Sequence, residues 1–199
     1  VSIQPDPREI AAIVRTVLQV ERKWQGLVPA AGDGRHTPWM PFQPFAFIAL
    51  AAEALPEVDF PAVMRARFLE IGAGPGTKML LMREIFGFSV RGFERTDEYA
   101  AAARSMGLDV QTCDALDWKD YSAELVWFNR VFRDPAPQRE LEQRVWDETD
   151  PGAVVMCANL ESRPPRSWFP VLDAWDEERR GIWQKYQVNL GGEDVHRVP

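Results

Sequence analysis

Ten residues, Phe68-Leu69-Glu70-Ile71-Gly72-Ala73-Gly74-Pro75-Gly76-Thr77, constrain the fold more than any other part of the chain. They read as a buried strand, a glycine-dense turn and the start of a helix. The apolar run shows no alternation, which suits a central parallel strand covered on both faces. Glycines at 72, 74 and 76 allow a sharp turn and let a ligand approach where a Cβ would intrude. Thr77 can cap the helix that follows, whose free N–H groups and positive dipole end attract an anion. A nucleotide-like ligand beside this loop is the physical expectation.

Around this stretch the chain alternates. Helices are predicted over 78–86, 97–106 (capped by Thr96 or Asp97) and 137–148, and strands over 89–94, 109–113, 124–129 and 153–159. Strand–helix alternation argues for a parallel sheet with helices on both faces. Two β-prone runs, 168–175 and 182–188, flank a charged turn and suit an antiparallel hairpin at the sheet edge. Upstream, Asp6-Pro7-Arg8-Glu9 matches a helix start, with Asp6 as N-cap, Pro7 at the first helical position and Glu9 completing a capping box. Ile10, Ile13, Val14, Val17, Leu18 and Trp24 then follow helical spacing, with Arg and Glu on the other face. That helix carries no chemical signal. A short apolar helix over 45–55 ends at Pro56, and a turn follows near Asp59-Phe60-Pro61. Between these helices, 26–44 is rich in Gly and Pro and carries His36, Trp39, Met40 and Phe42. A long loop of this kind is either a lid or a wrapping connector. The domain reading is 1–65 as helix, lid-like loop and helix, 66–190 as the core, and 191–199 as a flexible tail.

Composition narrows the classes. A chain of 199 residues with 46% apolar and 27% charged residues supports one globular domain. Its net charge of −7 excludes nucleic acid as a bulk electrostatic partner. No run reaches the about 18 apolar residues of a membrane span, so no membrane partner is expected and the default compartment is cytoplasmic. Cys113 and Cys157 match no metal or redox spacing, and no metal site is expected. The eight tryptophans read mostly as core, with an interface or oligomer contact as the rival use.

Three residues then fall at successive predicted strand ends, where an open α/β sheet presents its ligand crevice. Glu94 lies 18 residues after Gly76, Asp114 20 residues further and Asn129 15 residues beyond that. A carboxylate at 94 can accept both hydroxyls of a ribose. One at 114 can accept from an adenine amino group.

Together these features resemble the class I S-adenosylmethionine-dependent methyltransferases, whose first motif is E/D-x-G-x-G-x-G, here Glu70 to Gly76. The resemblance covers roughly residues 66–190. It implies a Rossmann-like, seven-stranded, mostly parallel sheet with an antiparallel C-terminal hairpin, helices on both faces and an N-terminal helical cap. It implies S-adenosyl-L-methionine as cofactor and S-adenosylhomocysteine as product. Glu70 would orient the amino-acid end, with Gly72, Ala73, Gly74 and Gly76 beneath it. Glu94, with Arg95 beside it, would hold the ribose, and Asp114 with Ala115 or Leu116 the adenine. Asn129 would face both cofactor and acceptor. The run Leu125 to Phe132 also resembles the fourth strand of the disruptor-of-telomeric-silencing family of lysine methyltransferases. Arg130 replaces a second asparagine there, so that likeness is one of topology.

Methyl transfer from a sulfonium needs chiefly an in-line approach, and a base only for a protonated acceptor. Asn129 and His36 are the candidate catalytic residues, with Glu161 and Trp39 as further options. Phe93 or Trp118 can offer cation–π attraction to a sulfonium. The acceptor, a small molecule or a protein, is not identified by these residues. Two rivals stand beside this reading. One is a methyltransferase-fold binding subunit that needs a partner. The other is a nicotinamide-dependent oxidoreductase, disfavoured because the last position of its G-x-G-x-x-G/A fingerprint falls on Thr77.

Overall fold

The computed structural model describes residues 6–25, 42–59, 65–174 and 180–185. His36, Trp39, Met40, the turn at 60–61, Trp175, Tyr186 and the 191–199 tail lie outside the described residues.

Helix α1 runs Pro7–Gln25. Its start is the expected capping box: Asp6 Oδ1 accepts from Arg8 N at 2.9 Å, and Glu9 Oε2 accepts from Asp6 N at 3.0 Å. The inward stripe differs from expectation at one position. Val14, Val17 and Glu21 are all buried, so a carboxylate sits on the apolar face. Helix α2, Pro44–Ala54, passes into a short 3-10 turn at Leu55–Glu57 that accommodates Pro56.

The alternating core follows as β1 Arg67–Ile71, α3 Thr77–Phe86, β2 Ser89–Glu94, α4 Asp97–Ser105, β3 Asp109–Thr112, β4 Leu125–Phe128, α5 Pro135–Glu148 and β5 Val154–Cys157. The chain returns through β6 Trp168–Ala174 and β7 Arg180–Lys185. One seven-stranded sheet results, in the order β3-β2-β1-β4-β5-β7-β6. Strands β1 to β5 are mutually parallel, while β7 lies antiparallel between β5 and β6. Strand β1 pairs β2 on one side and β4 on the other, so the order reverses there. That reversal opens a crevice at the strands' carboxyl ends. Pro170 lies on the edge strand β6, beside an irregularity in the pairing, where a missing N–H costs least.

The two faces are covered unequally. Residues of α1, α2, α3 and α4 pack with Phe68, Leu125, Trp127 and Met156 on one face. On the other, α5 lies over Leu69, Ile71, Val126 and Phe128. No helix joins β3 to β4 or β5 to β6 among the described residues. Aromatic bulk fills that face instead: Trp118 stacks on Phe93 at 4.7 Å, and Trp146 meets Trp168 edge-on at 5.1 Å. The buried tryptophans are core residues. Phe93 and Trp118 belong to this layer as a mutually stacked pair, so the use of either beside a sulfonium finds no support.

Gly76 shows how tightly the first face is packed. Its φ is +77°, and a Cβ there would lie 2.6 Å from Leu108 Cδ1 and 2.9 Å from Ala103 Cβ. The absence of a Cβ there is required by the packing of Leu108 and Ala103 against the turn. Gly76→Ala is expected to lower stability by about 2–4 kcal/mol through combined backbone strain and overpacking, read as a drop in the thermal midpoint.

Candidate functional site

The glycine loop spends its own donors. Gly72 N and Ala73 N both donate to Phe93 O, at 3.0 and 2.9 Å, and Gly76 N donates to Ala73 O at 2.9 Å. Gly74 N donates to Glu94 Oε2 at 2.8 Å, and Pro75 has none to give. A phosphate therefore finds no spare amide here. Nor does Thr77 cap: Gly76 is the N-cap, in the left-handed region, and Thr77 is the first helical residue. Its hydroxyl donates to Glu21 of α1.

At the end of β2, Glu94 is clamped between two loops. Oε2 takes the Gly74 amide and Oε1 takes the Thr96 amide at 2.8 Å. Each oxygen keeps lone-pair capacity, so the half-buried carboxylate is fixed yet able to accept further hydroxyls. Arg95 follows it and is exposed. Beyond β3, Asp114 Oδ1 accepts from Leu116 N at 3.0 Å. Of the two amides expected to face an adenine, at Ala115 or Leu116, that of Leu116 is engaged by Asp114. Both Asp114 and Ala115 stand at the carboxyl end of the sheet beside Glu94, whose backbone oxygen accepts from Cys113 N at 3.1 Å.

Asn129 follows β4. Its Oδ1 accepts from Arg130 N at 2.7 Å, and a backbone N–H can only donate, so the orientation of the amide is settled. The same Oδ1 accepts from Asn159 Nδ2 at 2.7 Å. Asn159 was not singled out from the sequence, although it follows β5 by two residues as Asn129 follows β4 by one. It adopts φ 56°, a left-handed conformation that asparagine tolerates better than most residues. Among the described residues, Asn129 is left with its NH₂ to offer and Asn159 with its carbonyl oxygen. Glu161 is not free to act as a base, because Arg130 pairs with it at 2.5 Å.

These two strand ends are held from beneath by α5. Gln138 Oε1 accepts from Val131 N and Phe132 N, both at 3.0 Å. Its Nε2 donates to Glu142 Oε1 at 3.0 Å. Glu142 also accepts from Glu161 N at 2.7 Å, Ser162 N at 3.0 Å and Ser162 Oγ at 2.9 Å. Both side chains are fully buried. One helical turn apart on one face, they fasten the chain after β4 and after β5 to a single element.

Glu70 is fully buried. Oε1 accepts from Lys78 Nζ at 3.1 Å, whereas Oε2 has no partner among the described residues. The Lys78 ammonium also sits 4.5 Å from the centre of the Phe42 ring. Burial pushes the Glu70 carboxyl up to about 7, against the stabilising pull of Lys78 and of the Met79 backbone N–H. Glu21 is raised in the same direction, again chiefly by burial. Neither it nor Lys78 was picked out from the sequence. A glutamate seven residues from Val14 and four from Val17 is a charge in an apolar stripe, which is the signal that finds it.

By sequence, no protein-family model and no curated protein matches the chain. By structure it is similar to methyltransferases. An RNA methyltransferase from Salinibacter ruber, solved with S-adenosyl-L-homocysteine, aligns with a TM-score of 0.54 at 16% identity, over 75% of this chain and 96% of that one. The bifunctional kinase-methyltransferase WbdD aligns at 0.53 and 10% identity, over 73% and 40%. A protein from Galdieria sulphuraria assigned as a sarcosine dimethylglycine methyltransferase aligns at 0.50 and 16%, over 58% and 46%, so the chain spans less than half its length. The fold is therefore methyltransferase-like: a seven-stranded, mostly parallel sheet with antiparallel C-terminal strands and helices around it. No described helix is long and apolar enough to cross a membrane.

Two outcomes follow from this geometry. Glu142→Ala leaves four donors without their acceptor and is expected to cost about 2–4 kcal/mol, with faster amide exchange at Glu161 and Ser162. Glu70 carries a folded pKa above its unfolded value near 4.5. The folded state then binds more protons, so this group's contribution is full below that value and is lost as pH rises towards about 7. Chemical denaturation from acid to neutral pH should show a falling slope that Glu70→Gln flattens.

Proposed function

We propose that the chain is an S-adenosylmethionine-dependent methyltransferase acting by in-line displacement. The observation that carries this reading is the Glu94 clamp beside a loop whose amides are already spent. A dinucleotide's pyrophosphate finds no donors in that loop, whereas a ribose finds a fixed carboxylate. The orphaned, buried Glu70 Oε2 adds a site for a cation at the amino-acid end. Nothing among these residues fits a phosphate better than a sulfonium amino acid.

When bound, S-adenosylmethionine supplies an activated methyl group. The chain's own part is positioning. Glu94, with Arg95 beside it, holds the ribose. Asp114 and Ala115 face the adenine, and Glu70 faces the amino-acid end. Gly72, Ala73, Gly74 and Gly76 form the turn on which the cofactor lies, Gly76 through its packing on α4.

The acceptor side is assigned to Asn129 with Asn159, and to His36 of the 26–41 segment. Asn129 Oδ1 already takes two donors, so Asn129 orients through its NH₂ and does not accept a proton. Asn159 Oδ1 is the acceptor that can receive an N–H or O–H of the methyl acceptor. A second asparagine at this crest comes from β5 rather than from β4, and the likeness to the lysine methyltransferase branch is kept as topology.

Isothermal titration with S-adenosylhomocysteine tests the reading; no binding up to millimolar ligand overturns it. Glu94→Ala should weaken binding by about 1.5–3 kcal/mol, the range for lost charge-assisted hydrogen bonds. An unchanged affinity would mean that the ribose lies elsewhere.

A further inference from the structure

Two carboxylates and one ammonium are buried together at the start of α3. Glu70 comes from the end of β1, Glu21 from the inward face of α1, and Lys78 from the first turn of α3. Glu21 is 4%, Glu70 0% and Lys78 8% exposed. Thr77 ties Glu21 to α3 through its hydroxyl, and Lys78 is bonded to Glu70. Two carboxylates against one ammonium leave one negative charge in excess. The same count appears in the hydrogen bonds, since among the described residues Glu21 Oε2 and Glu70 Oε2 are both buried without a donor.

An uncompensated buried charge is costly, and a buried acceptor without a donor adds to that cost. A proton or a cation removes both penalties. The groups around the pair limit the choice. Among the described residues, Lys78 is the one charged group that acts on both carboxylates, and the Glu21 charge raises Glu70 further. Apart from the Thr77 hydroxyl, α3 contributes the Met79 N–H towards Glu70, and the Phe42 N–H leans on Glu21. The Phe42 ring closes the Lys78 side. Gly72, two residues beyond Glu70, is the exposed residue of the loop.

We infer that Glu21 is a ligand-binding residue: with Glu70 it forms a two-carboxylate seat for a primary ammonium, and without ligand the pair shares one proton that the ammonium displaces. The identity of that ammonium, the amino-acid end of S-adenosylmethionine or S-adenosylhomocysteine, rests on the methyltransferase reading. Charge balances in the exchange, because one cation enters and one proton leaves to solvent. Burial pushes the Glu70 carboxyl up to about 7, which accords with a proton held there near neutral pH, and it raises Glu21 in the same direction. The N-terminal helix then belongs to the cofactor site and not only to the packing around it.

The test is calorimetry near neutral pH in phosphate and in Tris, with two probes: S-adenosylhomocysteine, and 5′-methylthioadenosine, which lacks the amino-acid end. Wild-type protein should release about one proton on binding the first and none on binding the second. Glu21→Gln keeps an acceptor for Thr77. It should abolish the release and weaken S-adenosylhomocysteine about tenfold or more, with less than about a twofold change for 5′-methylthioadenosine. Equal losses for both probes would show that Glu21 only holds α1 in place, and would overturn the inference. So would a wild-type enthalpy that does not depend on the buffer, which decides the matter even if the variant does not fold. Absence of S-adenosylhomocysteine binding overturns both readings. Binding that Glu94→Ala weakens but that carries no proton overturns this one alone.

Discussion

The buried Lys78–Glu70 ion pair is the constraint on which the arrangement of the first face depends. An ion pair out of water stabilises little by itself, because desolvation offsets the attraction, but removing one partner leaves a buried charge. The carboxyl of β1 and the ammonium of α3 must therefore stay together, which fixes the start of α3 over the end of β1. Thr77 extends the same cluster to Glu21 and fastens α1 across it. Carboxylates at a helix N-terminus also complement its dipole. In this protein that place is taken by the chain's own acids, which is why the loop is a poor phosphate cradle.

The second half of the crest is organised by a different device. Strands β4 and β5 are each followed within two residues by an asparagine, and the two amides are bonded to each other. Holding them there requires that the two following loops have fixed starts. Gln138 and Glu142 supply this from a buried polar stripe on α5. The network is fully satisfied, so its burial is tolerable, and a satisfied polar network specifies one geometry more strictly than apolar packing does. A single helix thus fixes the starts of both loops, and the direct bond between the two asparagines joins the strand ends above it.

Much of this was legible in the residues. The strand at Phe68, the turn after it and the alternation downstream depend on local chemistry: apolar runs without alternation, glycine at turns, capping residues at helix starts. The observed strand β2 coincides with its expected span, 89–94, because Gly87 and Thr96 bracket it. Helix α5 begins two residues earlier than expected, at Pro135 after Asp134, since proline is accepted in a first turn. The absent helices between β3 and β4 and between β5 and β6 were equally visible, as stretches without helical periodicity.

The sequence by itself determined the order of elements, the class of fold, and the placing of Glu70, Glu94, Asp114 and Asn129 at successive strand ends. These follow from periodicity and turn chemistry, which act over a few residues. Only the tertiary structure decided which donors the loop had left, that Leu116's amide is taken by Asp114, and that Glu161 is neutralised by Arg130. It alone brought Glu21 to Glu70 and Asn159 to Asn129, pairs separated by 49 and 30 positions in the chain. Hydrogen-bond accounting and burial are properties of groups that meet across the fold, and a linear pattern does not carry them.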